Sequence, residues 1–199
     1  MFDFTTVEQN LKQRGYEVKV FETLEQAADY VDSAVDQTTV GIGGSGTVKA
    51  SGLYDRLGTH NTVIWHWMQQ PADEARREAM ATDIYLASAN ALAETGEMVN
   101  IDGCGNRVAS MLFGHRKIYY LIGRNKIVKT YEDAVWRARN VAGPRRAQQM
   151  NAKTPCAVNG DRCYDCKSPG RICRGMVTLM APMSGMEAEV LLIDEDLGL

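Results

Sequence analysis

Six short runs rich in branched and aromatic residues punctuate this chain: YEVKVF (16–21), TTVGIG (38–43), NTVIWHW (61–67), DIYLASA (83–89), KIYYLIG (117–123) and EAEVLLI (187–193). Runs of this length and composition read as strands. Helical stretches of about ten residues separate most of them, long enough to carry the chain back so that successive strands lie parallel. The alternation therefore confines the chain to an α/β fold, a mostly parallel sheet with helices on both faces. Helix starts support the reading. Thr6 with Gln9 and Thr23 with Gln26 have capping-box spacing, and Leu24, Ala27, Ala28, Val31 and Ala34 form an apolar stripe. Thr47 to Leu57 and residues 105–114 read as helices, and Pro71 suits the first turn of ADEARREAM. YEDAVWRARNVAG (131–143) starts acidic and ends basic, as the helix dipole favours. From Pro144 the periodicity stops. Residues 144–186 read as an irregular, Cys-rich excursion on a single domain spanning 1–199.

Length and charge narrow the class further. A chain of 199 residues can bury a real core. Its net charge of −3, with acidic and basic residues interspersed, leaves no electrostatic footprint for nucleic acid. No apolar run approaches the roughly 20 residues of a membrane span, and the N-terminus lacks the pattern of a signal peptide. A cytoplasmic protein is expected, so its five cysteines point to thiols, redox chemistry or metal rather than structural disulfides.

Three constellations carry candidate chemistry. Gly43, Gly44, Ser45, Gly46 and Thr47 follow a strand and open a helix. Glycines let backbone approach a ligand closely, and helix-start amides with two hydroxyls suit a phosphate or carboxylate. The plainer alternative is a tight turn whose serine caps its own helix. The stretch lacks a P-loop ending and a dinucleotide fingerprint. The second constellation, within 83–107, gathers Asn90, Glu94, Glu97, Asn100, Asp102, Asn106 and Arg107. Arg107 has the fork to clamp an oxyanion, and Glu94, Glu97 or Asp102 could act as acid or base. The alternative is a hairpin-like excursion in which Asn and Asp hold their own backbone.

The third is Cys156, Cys163, Cys166 and Cys173, one CxxC with a further cysteine seven residues out on each side. Four thiolates suit zinc or an iron–sulfur cluster. A redox dithiol at Cys163 and Cys166, or plain reduced thiols, fit the spacing equally. Cys104 between two glycines reads as a small turn residue, with a nucleophile as the alternative. His60, His66 and His115 lack metal-ligand spacing and read as surface or packing residues. Trp65, Trp67 and Trp136 read as core or site-wall aromatics.

The run ASANALAETGEMVNIDGCGNRVASMLFG, followed by IGRNKIV, RARNVAGPRRAQQ, TPC, CYDCKSPGRIC and a terminal LGL, resembles the LUD (lactate-utilization domain) family. With GGSGTV upstream, the resemblance spans about Asn10 to Leu199. It implies a fold similar to the ribose-phosphate isomerase, glucosamine-phosphate deaminase and CoA-transferase group. It also implies a place in lactate or related organic-acid metabolism, where some members act beside iron–sulfur partner proteins. In sugar-phosphate isomerases of that group a similar Gly/Ser/Thr loop holds phosphate, and an aspartate on a second strand end moves a proton. Asn90 stands where that aspartate would be, and an amide cannot shuttle a proton at neutral pH. Ser51 stands where the family often has an acid. Three functions follow as expectations: an enzyme acting on a small anionic metabolite, a redox or metal-binding accessory subunit, or a metabolite-binding regulator without turnover.

Overall fold

A computed structural model of the chain describes residues 2–199. The ten strands are β1 (Glu17–Phe21), β2 (Thr39–Ile42), β3 (Thr62–Ile64), β4 (Ile84–Ala87), β5 (Ala91–Ala93), β6 (Met98–Asp102), β7 (Lys117–Gly123), β8 (Ile127–Val128), β9 (Gly175–Leu179) and β10 (Glu187–Ile193). Six of them pair in the order β1-β10-β7-β4-β2-β3, every neighbour parallel. These are the six apolar runs of the sequence, four of them trimmed at their ends and 117–123 and 187–193 kept whole. The helices are α1 (Thr5–Gln13), α2 (Leu24–Ala34), α3 (Gly46–Ala50), α4 (Leu53–Leu57), α5 (Ala72–Ala79), α6 (Asn106–Leu112), α7 (Tyr131–Arg137), α8 (Gly143–Gln149) and α9 (Pro155–Asn159).

Alternation along the central strands builds two cores. Ile118, Tyr120 and Ile122 of β7 face one side with Val190 and Leu192 of β10, under Val7 and Leu11 of α1 and Met111 of α6. Tyr119, Leu121, Leu191 and Ile193 face the other, under Ala27, Ala28 and Val31 of α2, Val48 of α3 and Leu53 and Leu57 of α4. Strands buried on both faces read as continuous apolar runs, which is why β7 and β10 were plain in the sequence.

A second sheet, β8-β5-β6-β9, was not visible in the sequence. Its strands are short or polar on one face. β5 and β6 form an antiparallel hairpin inserted between β4 and α6, and β6 pairs antiparallel with β9. α7 covers this sheet through Ala134, against Ala91, Ala93 and Val99.

Several expected boundaries change. Residues 47–57 form two helices, because Gly52 takes a left-handed backbone with φ +68° between them. The Thr23–Gln26 capping box is present, but α1 starts at Thr5 without a side-chain cap from Thr6. The segment from Pro144 is less irregular than expected. α7 runs through a five-residue π-helical segment, Ala138–Ala142, into α8 with Pro144 in its first turn. Proline has no amide to donate, and the widened turn absorbs the lost bond. α9 and β9 add order farther on, leaving 160–174 without a regular element.

The sheet packs tightly on α5. A methyl group on Gly41 in β2 would stand 2.4 Å from the Ala79 carbonyl oxygen and 2.6 Å from Thr82 Oγ1. Backbone cannot yield there cheaply, so Gly41→Ala is expected to cost about 1–3 kcal/mol. In thermal unfolding that appears as a Tm lowered by several degrees, whereas an unchanged Tm would show that the packing is looser than described.

Candidate functional site

The carboxyl ends of β2, β4 and β7 open on one crevice, the place where open α/β sheets offer ligands their loops. A cavity of ≈ 440 Å³ lies there, closed on its far side by the β6–α6 turn, the π-helical segment and the loop before β9. That volume falls in the range of small-molecule sites.

The glycine loop after β2 forms one wall. Gly44, Ser45 and Gly46 line the cavity. Gly43 and Thr47 stand behind it. A Cβ on Gly43 would meet the Tyr85 hydroxyl at 2.7 Å and Arg107 Cγ at 2.9 Å, so this glycine admits a buried arginine rather than a ligand. Ser45 Oγ accepts from the Val48 amide at 3.2 Å, capping α3. The capping alternative thus accounts for the Ser45 hydroxyl. Trp67 stands against Gly44, stacks on buried Trp65 at 5.3 Å, and carries the Arg146 guanidinium 4.9 Å from its ring centre.

Arg107 occupies the middle of the opposite wall, but its fork is turned to the protein. One terminal nitrogen donates to the Ser88 carbonyl at 3.3 Å and Asn100 Oδ1 at 2.7 Å. The other donates to the Ile101 carbonyl at 2.7 Å and Asn90 Oδ1 at 3.4 Å. Burial draws its pKa down, opposed by the Asp102 carboxylate at 3.9 Å. The expected oxyanion clamp is therefore a clamp on the two sheets, with one face of the cation turned to the cavity. Asn90 and Asn106 line the cavity, while Asn100 lies fully buried behind it.

The candidate acids separate. Asp102 lines the cavity, yet Oδ1 accepts from the Cys104 and Gly105 amides, each at 3.1 Å, and Oδ2 from the Val108 amide at 3.2 Å. It holds the turn that starts α6. Glu94 and Glu97 sit at the β5–β6 hairpin turn, outside the cavity, ion-paired with Lys129 and Arg14 respectively. The acid–base role expected of them has no support in this geometry.

Lys126, in the turn after β7, is the residue the sequence reading missed. Its side chain lines the cavity and is only 4% exposed. Nζ donates to Thr47 Oγ1 and Ser88 Oγ, each at 2.9 Å. Among the described residues no carboxylate lies within ion-pair distance of it. Burial, together with the nearby Arg137 and Arg107 cations, lowers its pKa to about 7. The signal in the sequence was a lysine three residues past the end of a strongly apolar strand, a strand end that the α/β rule places at the ligand crevice.

The cavity's electrostatics follow from its lining. Arg76, Arg107, Lys126, Arg146, Arg171 and Arg174 face one acidic side chain, Asp102, in a chain whose net charge is −3, and the terminal residue Leu199 also lines the cavity. Arg76 pairs with Asp73 and Arg171 with Asp165, whereas Arg146 and Arg174 have no carboxylate partner among the described residues. His66 adds a buried ring on this wall. Its Nδ1 has no partner, and burial lowers its pKa. The expectation that the histidines are packing or surface residues thus holds for His115 under Tyr85 but leaves out His66. Trp136, expected in the core or a site wall, is 61% exposed. Cys104 is exposed in the turn beside the cavity. The four other cysteines line an adjoining pocket. Among the described residues no helix is long and apolar enough to cross a membrane.

Comparison with known proteins agrees with this architecture. The chain is similar to a DUF162 family protein from Deinococcus radiodurans, known from its crystal structure, with 11% identity and a TM-score of 0.51. That likeness covers 97% of this chain and 99% of the other, and at this identity it speaks for the fold alone. No curated protein matches. The family model of the LUD domain matches residues 5–193. The chain, with its parallel sheet and the basic crevice at its edge, belongs to the LUD-domain family.

Proposed function

We propose that the protein binds a small anionic metabolite, carboxylated or phosphorylated, in the cavity at the ends of β2, β4 and β7. The observation that carries this reading is Lys126, a buried amine held by two hydroxyls with no acidic side chain at ion-pair distance among the described residues. A buried unpaired cation is costly, and a bound anion removes that cost. Arg146 and Arg174 extend the same field across the cavity, and the Trp67 ring supplies an apolar wall. The family's association with lactate utilization makes a hydroxy- or keto-carboxylate the first class to try, with sugar phosphates next. A second reading, turnover, is favoured by the same residue. Neutral at mildly alkaline pH, the Lys126 amine is placed to accept a proton, which the carboxylates of the hairpin turn are not.

The ligand-free protein gives the first test. The folded pKa of Lys126, about 7, lies below its ordinary value of 10.5. Between those values the unfolded chain binds the extra proton, so this residue's contribution to stability rises with pH. The expected slope is about 1.4 kcal/mol per pH unit. Below pH 7 both states are charged, and the full cost of the buried ammonium remains. Lys126→Met is therefore expected to unfold at higher denaturant than the parent at pH 6, the gap closing toward pH 10. Parallel stability curves for the two proteins would contradict the assignment.

Ligand binding gives the second. At constant ionic strength, lactate, pyruvate, phosphate, pyrophosphate and ribose 5-phosphate can be compared by thermal shift. A true ligand at 100 times its Kd stabilises by about 2.7 kcal/mol, a rise of several degrees in Tm. Lys126→Met and Arg146→Gln are expected to weaken binding at least tenfold. Gly44→Asp, which sets a carboxylate against Trp67 in the wall, should abolish it. A panel that gives no shift, or variants that bind as the parent does, would sink the reading.

A further inference from the structure

The four cysteines of the C-terminal third come together in three dimensions, with Cys173 on the wall shared with the anion cavity. Cys156 in α9, Cys163 and Cys166 in the loop after it, and Cys173 just ahead of β9 all line one pocket of ≈ 310 Å³ with Asp165 and Arg171. All four are partly buried free thiols, whereas Cys104 is exposed and lines the anion cavity instead.

The segment that carries them lacks a core of its own. No residue from Pro155 to Thr178 is buried. Polar contacts set its path: Arg171 donates to the Cys173 carbonyl at 2.8 Å and the Cys166 carbonyl at 2.9 Å, and ion-pairs with Asp165 at 3.0 Å. Gly103 admits the segment closely, since a Cβ there would stand 2.6 Å from the Ile172 carbonyl oxygen. A stretch of this length without apolar burial is the kind that proteins staple with a covalent link or a metal. It places all four thiols in the lining of one pocket, beside Asp165, Arg171 and Ile172.

The CxxC turn has the shape of a ligand turn. Asp165 takes a left-handed backbone, φ +45°, and its amide donates to Cys163 Sγ at 3.4 Å. The Thr154 hydroxyl lies 3.3 Å from Cys156 Sγ. Hydrogen bonds to sulfur of this kind stabilise thiolates and tune clusters bound by them.

Size separates the candidate occupants. Zinc at about 2.3 Å from each sulfur would draw the four sulfurs to within roughly 4 Å of one another. Among the described residues no three His, Cys, Asp or Glu side chains are grouped closely enough to hold one metal ion. A cubane cluster keeps its four thiolates apart at the corners of an eight-atom body, and a pocket of ≈ 310 Å³ lined by all four cysteines has room for it. We infer that Cys156, Cys163, Cys166 and Cys173 hold a [4Fe–4S] cluster, one iron to each thiolate. Each thiol loses its proton on ligation, and the net negative charge of the assembly faces Arg139, Arg171 and Arg174 in the pocket wall. Ile101, Gly143 and the Arg171–Arg174 segment line both this pocket and the anion cavity, so the cluster would lie one wall away from the bound metabolite. The inference stands on the cysteine pocket alone and does not depend on which anion the cavity takes.

Anaerobic reconstitution of the whole chain with ferric and ferrous iron in equal amounts and inorganic sulfide tests it. The expected product holds about four irons and four sulfides per chain, absorbs broadly in the visible, and bleaches with dithionite to give a half-integer-spin EPR signal. Cys156→Ser, Cys163→Ser, Cys166→Ser and Cys173→Ser are each expected to lower iron and sulfide content several-fold, while Cys104→Ser keeps both. Because the parent stoichiometry is itself a readout, a serine variant that fails to fold leaves the test intact. Tight uptake of a single zinc with no sulfide would overturn the assignment. So would a Cys163–Cys166 disulfide as the sole product, or full cluster content in the four serine variants.

Discussion

The structure turns on one buried guanidinium. Arg107 spends its fork on acceptors from both sheets: the Ser88 carbonyl beyond the end of β4, Asn90 ahead of β5, and Asn100 and Ile101 in β6. Each lost bond to a buried acceptor costs about 1–3 kcal/mol, so the hairpin insertion is fixed to the main sheet at this point. The glycine at 43 exists to let Arg107 through. Once placed, the cation cannot leave, and its field reaches Lys126 across the crevice. Packing at the sheet edge thereby sets the chemistry of the site, because part of the depression of the Lys126 pKa comes from Arg107.

This arrangement reverses the roles that the residue types suggest. The arginine that looks like a ligand clamp is mainly structural, and the lysine that looks like an ordinary turn residue is the buried amine of the site. Asp102 is likewise spent on backbone amides. Polar groups with donors left to meet a ligand include the Lys126 amine, Arg146 on its tryptophan, Arg174 beyond its bonds to the Arg171 and Pro169 carbonyls, and the unpartnered Nδ1 of His66. The Lys126 amine and the two guanidiniums are cations below pH 7. In the proposed account they receive the anion, and the neighbouring thiol pocket gives the domain a second centre that shares a wall with the first.

Much of the fold was legible because the main sheet is buried on both faces. Runs such as KIYYLIG and EAEVLLI have to be strands, and the helices between them leave little choice but a parallel sheet. The second sheet was illegible for the opposite reason. β8 has two residues, β5 is ALA, and β6 alternates into polar side chains that read as a loop. Sequence spacing located the glycine loop, Asn90, Asn106, Arg107 and Asp102 at the crevice but could not say which way each side chain points. Glu94 and Glu97 were misjudged because a hairpin carries them away from the sheet edge. Lys126 escaped notice because a single lysine carries no motif. Only its burial, set by the surrounding fold, distinguishes it from surface lysines.

The central claim is that Lys126 is a buried, unneutralised amine that an anion completes. Direct titration of the lysine side chains by carbon-13 NMR, with Lys126→Met to assign the resonance, tests it most plainly. In the free protein the Lys126 resonance should titrate with a midpoint near pH 7, and saturation with a bound anion should move that midpoint upward by at least one unit. A midpoint in the ordinary lysine range near 10.4 in both states, or one that an anion bound in the cavity leaves unmoved, would contradict the account.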